Sequence, residues 1–372
     1  MGLLRVTLAI AVVVAHSENL FGFSFTGGLV AVKVFYVISG FYMSMVLDTK
    51  YVGPGSYRLF LSNRFLRLYP IYWAILFSVL LTSIASFLLI EEWNRLSNYV
   101  EYFDDFSLLT LGYLAISNLL IVGQDIIMFL GIDPGNGALY FTNNFRDSDP
   151  QLYKFLLVPQ AWSLGVEVTF YLISPFLVRR KNWVVVAIIV ASIGLKAFVY
   201  FHLGYRHDPW TYRFFPTELG LFLFGTISYR LYKTCKKRGF LTKKKNCTVS
   251  IVFLSTLFLY QFLPFKEGYF VHIQDSSFLI LAGISLPFIF EFSKVSKLDR
   301  RIGELSYPIY LSHLWIISVV LPVLNGYDLT MYLGEITVLL SIVTSYILIK
   351  TISDPIEKVR QHRIRRSKYK SS

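Results

Sequence analysis

The sequence is poor in charged residues and almost free of cysteine. Only 16% of its 372 residues are charged, against about 25% in a typical soluble domain, which excludes an ordinary soluble globular protein. The two cysteines, Cys235 and Cys247, both belong to a basic loop region, which argues against a disulfide scaffold or a metal site. Apolar residues dominate instead: 55% of the chain is hydrophobic and its mean hydropathy is +0.54.

Ten apolar stretches are long enough to cross a bilayer, which takes about 20 mostly apolar residues. They cover residues 3–20, 28–47, 70–90, 158–178, 183–203, 214–232, 248–265, 276–293, 304–324 and 330–352. We therefore predict an all-α fold, a polytopic transmembrane helix bundle of about ten spanning helices. The membrane-embedded core should cover residues 1–355, followed by a basic cytoplasmic tail over residues 356–372.

The basic residues set the predicted orientation of these spans. The net charge is +13, and most lysines and arginines fall in alternate loops: 48–69, 179–181, 230–245, 294–301 and the segment from Lys350 onward. Such clusters are typical of the cytoplasmic side of a membrane protein and do not indicate nucleic-acid binding. Both termini are therefore predicted to be cytoplasmic.

A further apolar stretch, 108–130, is interrupted by Asn118, Gly123, Gln124 and Asp125. If it crossed the membrane, the span at 158–178 could not run from the outside to the basic cluster that follows it. We predict a re-entrant or non-crossing segment, which a membrane tolerates only where protein covers the backbone.

Arg5 and His16 lie inside the first apolar stretch, where ionisable groups are costly and usually functional. On an ideal helix they are about 16 Å apart along the axis and about 20° apart around it, so they share a face. A histidine can accept and donate a proton near neutral pH, although a hydrogen-bonded structural histidine fits equally well. A secretory signal cleaved near Ala15 is the alternative for this stretch, but the later spans favour a retained helix.

Arg64 and Arg67 precede the third span at a spacing that places them on one helix face. Two guanidinium groups suit a phosphate-bearing ligand, although anchoring at the cytoplasmic surface explains most loop arginines. Glu167 is a further embedded charge. It could orient a catalytic histidine, bind a sugar hydroxyl or pair with a buried cation such as Lys33 or Lys196.

Five motifs occur in a fixed order along the chain. They are Arg5-x10-His16, Phe35-Tyr36-Val37-Ile38-Ser39-Gly40-Phe41, Arg64-x-x-Arg67-x-Tyr69-Pro70, Trp162-Ser163-Leu164-x-x-Glu167 and Leu305-Ser306-Tyr307-Pro308-Ile309-Tyr310-Leu311-Ser312-His313. This order resembles the acyltransferase family 3 membrane proteins over about residues 1–350. Tyr36 and Val168 depart from the family pattern, which more often has Phe and a second Glu. With no soluble esterase-like domain in this sequence, we expect a stand-alone core.

The resemblance implies a membrane O-acyltransferase, by default an O-acetyltransferase, of the cell inner (plasma) membrane. Its donor would be cytoplasmic acetyl-CoA or another acyl-CoA, with no bound cofactor and no metal, and its acceptor a hydroxyl of a cell-surface polysaccharide or of its lipid-linked precursor. The implied catalytic residues are His16, Arg5 and Glu167, and Arg64 and Arg67 would bind acyl-CoA. The implied acceptor or site-support residues are Trp162, Ser163, Ser39 and His313.

Two other classes of protein remain open from the residues themselves. A transporter or flippase of lipid-linked sugars could also use buried Arg, His and Glu side chains. A structural membrane partner in a polysaccharide assembly complex is the other. The paired arginines favour a phosphate-bearing ligand over both.

Overall fold

The computed structural model describes residues 1–265 and 269–369. The helices are α1 (Gly2–Val14), α2 (Gly27–Thr49), α3 (Ser56–Ile90), α4 (Ser97–Tyr102), α5 (Leu108–Leu120), α6 (Trp162–Leu177), α7 (Asn182–Ala197), α8 (Phe215–Lys237), α9 (Lys243–Leu259), α10 (Tyr269–Ser293), α11 (Lys297–Gly326), α12 (Leu333–Leu348) and α13 (Asp354–Tyr369). A short antiparallel hairpin joins β1 (Leu130–Ile132) to β2 (Leu139–Phe141). The predicted all-helical class is confirmed apart from this hairpin.

Each of the ten predicted spans contains a helix, but the helices differ in length. Within the described residues, six are long and apolar enough to cross a membrane: Gly27–Thr49, Ser56–Ile90, Asn182–His202, Phe270–Ser293, Lys297–Gly326 and Thr330–Arg366. Helices α1 and α5 have 13 residues each, which gives about 20 Å, less than the roughly 30 Å of a hydrocarbon core. The chain is therefore a multi-helix membrane protein, and the number of ten spans stays a prediction.

Helix α1 lies at the centre of the bundle and packs against α2, α11 and α12. The backbone N–H groups of Gly2 and Leu3 donate to the Asp299 carboxylate of α11 at 2.7 and 2.9 Å. A carboxylate at the amino end of a helix complements its dipole, so this contact fixes the position of Arg5 one turn further on. A Cβ on Gly303 would lie only 2.7 Å from the Gly2 Cα, so glycine is required for this close approach.

The first helix is shorter than its predicted stretch of 3–20. It ends at Val14 with Ala15 as its C-cap, and the His16 N–H donates to the Val13 carbonyl at 3.0 Å in a tightened final turn. Arg5 is therefore helical, and His16 lies just beyond the helix end. The prediction that the two residues share a helix face assumed a helix through both of them, and the helix ends before His16.

The stretch 108–130 packs against α3 and against a second, smaller apolar core formed within residues 106–156. Its interrupting polar residues are buried and hydrogen-bonded. Asn118 donates to the Phe155 carbonyl and accepts from the Leu157 N–H, and Gln124 donates to the Ser117 carbonyl. Protein thus covers this backbone, and its non-crossing character stays a prediction.

The predicted basic tail is a helix docked on the bundle. In α13, Arg363 donates to the Ser62 hydroxyl at 2.8 Å and to the Asn63 side-chain oxygen at 3.3 Å, and Ile364 is buried. These contacts fasten α13 to the first half of α3. Residues 370–372 of the predicted tail lie outside the described residues.

Candidate active site

A cavity of about 620 Å³ opens between α1, α2, α3, α6, α11 and α13. Six of the predicted site residues line it together: Arg5, Ser39, Arg64, Arg67, Ser163 and Glu167. Three others do not line it, namely His16, His313 and Trp162. The structure therefore gathers most of the predicted residues in one place and leaves the two histidines as a separate pair.

Three arginines face this cavity without a carboxylate partner. Within the described part of the chain, no ion pair joins Arg5, Arg64 or Arg67 to an acidic side chain. Arg64 is only 6% exposed, and its Nε has no hydrogen-bond partner within residues 1–265 and 269–369. Its guanidinium lies 5.6 Å from the Phe60 ring centroid and 5.8 Å from that of Tyr171. Because an unpaired buried cation is costly, this arrangement favours the binding of an anion.

Glu167 occupies the same cavity and is held by two hydroxyl groups. Its Oε1 accepts hydrogen bonds from Ser39 and from Tyr171, both at 2.6 Å. Of the cations suggested as partners, Lys196 pairs with Glu218 at 2.5 Å instead. Glu167 therefore lies on the arginine side of the bundle, and its proposed roles in catalysis or acceptor binding stay predictions.

Small residues let α2, the helix that carries Ser39, pack closely against α8. Helices α2 and α8 pack so closely that a Cβ on Gly40 would overlap the Phe222 carbonyl and one on Gly225 would overlap the Val37 carbonyl. Glycines at such crossings let membrane helices approach at backbone distance. The Ser39-Gly40 pair in the second motif thus combines a cavity-lining hydroxyl with a glycine at the contact between α2 and α8.

Tyr310 connects the cavity to the histidine pair. It lines the cavity, its hydroxyl lies 2.6 Å from the Ser163 Oγ, and it donates to the Gln160 carbonyl at 2.9 Å. Its ring centroid is 5.9 Å from that of His313, which is 5.1 Å from that of His16. The cavity is therefore separated from His16 by the side chains of Tyr310 and His313.

Both histidines contact a backbone carbonyl through the same ring nitrogen, Nδ1. The Nδ1 of His16 lies 2.8 Å from the Val12 carbonyl, and the Nδ1 of His313 lies 2.7 Å from the Tyr310 carbonyl. A carbonyl oxygen can only accept, so each Nδ1 carries a proton, and in a neutral ring the lone pair is then on Nε2. His16 is exposed, whereas His313 is fully buried and its Nε2 has no hydrogen-bond partner among the residues that the structure describes.

The motif that contains Glu167 also supports the wall of the site. The Trp162 ring packs against the Arg213 guanidinium at 4.1 Å, and Arg213 donates twice to Asp208 at 2.6 and 3.0 Å. A Cβ on Gly165 would lie 2.7 Å from the Asp125 Oδ1, so glycine leaves room for this acid. Burial raises the pKa of Asp125 to about 6.

Sequence reasoning did not select Tyr310, although the signal was present. Tyr310 precedes His313 by three residues, and residues at this spacing share a helix face. A pattern of two polar rings on one face of a late apolar stretch could have indicated it.

Comparison with known proteins identifies a matching family model and several related proteins. Residues 1–352 match the family model of an acyltransferase domain. The chain is 26% identical to an uncharacterized protein of Aquifex aeolicus over 211 residues, which are 55% of this chain and 89% of that protein. It is also 26% identical to the peptidoglycan O-acetyltransferase OatA of Listeria monocytogenes, over 94% of this chain and 54% of that protein.

A third relative, the O-acetyltransferase OatA of Staphylococcus aureus, is 23% identical over 95% of this chain and 56% of its own length. The chain thus spans about half the length of these two OatA proteins. No solved structure matches it.

Proposed function

The chain belongs to acyltransferase family 3 and is an enzyme that transfers acyl groups other than aminoacyl groups, and we propose that it is a membrane O-acetyltransferase. Its donor would be cytoplasmic acetyl-CoA, and its acceptor a hydroxyl of a cell-surface polysaccharide or of its lipid-linked precursor. One observation carries the proposal. Three arginines that have no carboxylate partner among the described residues line one cavity with Tyr310, and the rings of Tyr310, His313 and His16 lie next to one another in that order.

The composition of the cavity supports an acyl-CoA donor. CoA carries several phosphate charges, and Arg64 and Arg67 offer forked donors of the kind that bind phosphate bidentately. The other lining residues include Lys50, Arg300 and Arg360, all from segments predicted to be cytoplasmic. The phosphates would rest on the arginines, and the acyl arm would extend past Ser39, Glu167 and Ser163 towards Tyr310.

In the proposed mechanism His16 handles the acceptor proton. Its Nε2 would remove the proton from the acceptor hydroxyl, and the resulting oxygen would attack the thioester carbonyl carbon. The carbon–sulfur bond then breaks, and the leaving thiolate takes up the proton, which gives CoA as the free thiol. A route through an acyl-imidazole would use the same Nε2 as nucleophile.

Arg5 acts at the donor end in this scheme. It lines the cavity with Arg64 and Arg67, whereas His16 lies beyond the other end of α1 and does not line the cavity. Its role would therefore be to bind the donor and to set the charge of the cavity. Trp162 and Ser163 would act as supports, Trp162 through Arg213 and Ser163 through Tyr310.

The test is a thiol-release assay with purified protein, acetyl-CoA and a glycan acceptor. His16→Ala should lower acetyl transfer by about 10² to 10⁴-fold, the usual contribution of a general base, or by more if His16 is the nucleophile. His202→Ala is the matched control, because His202 is an exposed histidine that does not line the cavity. Near-normal transfer by the His16 variant would remove His16 from the mechanism. Absence of thiol release from the wild-type protein would point to a transporter or a structural partner.

A further inference from the structure

The C-terminal helix α13 supplies a further arginine to the cavity. Arg360 lines it together with Glu357, Gln361 and Ile364. Its side chain is only 8% exposed, although α13 comes from the segment that the sequence analysis treated as a tail.

Two arginines of α13 have different partners. Arg360 and Arg363 are three residues apart and therefore share a helix face. Arg363 is committed to docking, since it donates to Ser62 and Asn63. Those residues directly precede Arg64 in α3, so this docking carries Arg360 to the side of the cavity that Arg64 and Arg67 occupy.

Arg360 itself is only partly satisfied. Its Nη1 donates to Glu357 Oε2, while its buried Nε has no hydrogen-bond partner within the described chain. The Nε of Arg64 is unpartnered in the same way. Glu357 is half-exposed and also accepts from Gln361, so it can leave Arg360 without losing its own partner.

From these contacts we infer that Arg360 is a third phosphate-binding arginine of the donor site, beside Arg64 and Arg67, and that Glu357 competes with the donor for it. The inference rests on the proposed function, because it takes acyl-CoA as the ligand of the cavity. When a phosphate group enters the cavity, the Arg360 guanidinium releases the Glu357 carboxylate and donates to the phosphate oxygens instead. The Nε of Arg360 then also has an acceptor. Helix α13 is then part of the donor site, and Arg363 is its positioning residue.

The test measures CoA binding directly, by calorimetric titration of the purified full-length protein in neutral detergent. Arg360→Gln should raise the Kd for CoA about tenfold, the order of one charge-assisted hydrogen bond, and should raise the KM for acetyl-CoA more than it lowers kcat. Arg366→Gln is the matched control, because it removes the same charge from an exposed position of the same helix. It should leave the Kd unchanged.

Glu357→Gln separates binding from a purely structural role. If Glu357 competes for Arg360, this variant should bind CoA severalfold more tightly than wild type, opposite in sign to Arg360→Gln. If the Glu357–Arg360 pair only stabilises α13, both variants should weaken CoA binding, which would overturn the inference. Thermal unfolding of each variant checks that α13 remains folded, and Arg360→Lys should restore part of the affinity by keeping the charge.

Two further outcomes would contradict the assignment. Equal Kd values for Arg360→Gln and Arg366→Gln would exclude Arg360 from the donor site. An effect of Arg360→Gln that appears only with anionic phospholipid in the micelles would assign the guanidinium to a lipid headgroup. The proposed function fails separately, since a wild-type protein that neither binds CoA nor releases thiol would reject the donor itself.

Discussion

In both His16 and His313, a hydrogen bond to a nearby backbone carbonyl determines which ring nitrogen carries the proton. Each donates its Nδ1–H to a backbone carbonyl of its own chain segment, three or four residues earlier. The partner carbonyl settles the tautomer, so the reactive Nε2 does not depend on a distant carboxylate. Their difference is exposure, because His16 reaches the surface and His313 does not. In the proposed mechanism this difference is the reason for giving acceptor chemistry to His16 and a supporting role to His313.

The Asp208–Arg213 pair gives a stability prediction at the residue scale. Both side chains are 12% exposed and joined by two hydrogen bonds, so Asp208→Asn would leave a buried guanidinium without its counter-charge above Trp162. We expect a loss of about 3 kcal/mol in the free energy of unfolding. The measurement is thermal unfolding of the detergent-solubilised protein.

The control for this prediction touches the same carboxylate. Arg146 lies 3.6 Å from Asp208 but is 53% exposed, so Arg146→Ala should cost no more than about 1 kcal/mol. Equal destabilisation by the two variants would show that burial does not govern the strength of the pair.

At the scale of single residues, the sequence predicted the relations between residues that are close together in the chain. Arg64 and Arg67 could be paired from their spacing alone, because helical periodicity places them on one face. Arg360 could not be added to them, since nearly 300 residues separate it from α3 and only the contacts of Arg363 bring it there. Glu167 could be recognised as an embedded charge, and Tyr171 lies four residues later on the same helix. Its other partner, Ser39, follows only from how α2 packs on α6.

Among the elements, α5 depends on α3 for the completion of its carboxyl end. The last carbonyls of a helix lack partners within the helix. Those of Asn118, Leu119 and Leu120 accept from Tyr72, Trp73 and Tyr69 of α3. Three consecutive carbonyls are thus satisfied by side chains one turn or less apart on a neighbouring helix, which holds α5 in place without a long apolar run.

Tyr72→Phe tests this dependence. The hydroxyl of Tyr72 donates to the Asn118 carbonyl and accepts from the Gln124 Nε2 at 2.9 Å. Its removal leaves a buried carbonyl unpaired, which should cost about 1–3 kcal/mol and lower the thermal unfolding midpoint in detergent. Tyr327→Phe, at an exposed tyrosine, should leave the midpoint unchanged. A Tyr72 variant as stable as this control would show that α3 does not hold α5.

Helix existence was easier to predict than helix ends. Apolar stretches located a helix in every predicted span, because burial in lipid or protein requires apolar side chains in either case. The end of α1 at Val14 was missed because Ala15 continues the apolar pattern while the backbone turns. Helix α13 was missed for the opposite reason: its composition is basic, and its structure depends on the docking of Arg363 and Ile364 against α3.

On the scale of the whole molecule, the two ends of α1 lie in different regions of the proposed site. Arg5 near the start of α1 lies in the cavity, and His16 just after its end lies by the exposed turn that precedes α2. An enzyme that joins a donor and an acceptor from opposite sides of a membrane needs such a separation. Tyr310 and His313 fill the space between the two regions, so transfer would take place at this boundary.

This arrangement predicts that the two ends of α1 face opposite compartments, and the native cysteines can report it. Cys235 lies near the carboxyl end of α8, in the basic segment 230–245 that is predicted to be cytoplasmic because positive residues stay inside, whereas Asn19 is exposed three residues after His16. A Cys247→Ser variant should react with a membrane-impermeant maleimide only after the cells are permeabilised. A cysteine-free variant carrying Asn19→Cys should react in intact cells. Labelling of both variants in intact cells, or the reverse pattern, would contradict the predicted orientation. The cavity would then lie on the outer side, where cytoplasmic acetyl-CoA could not reach it.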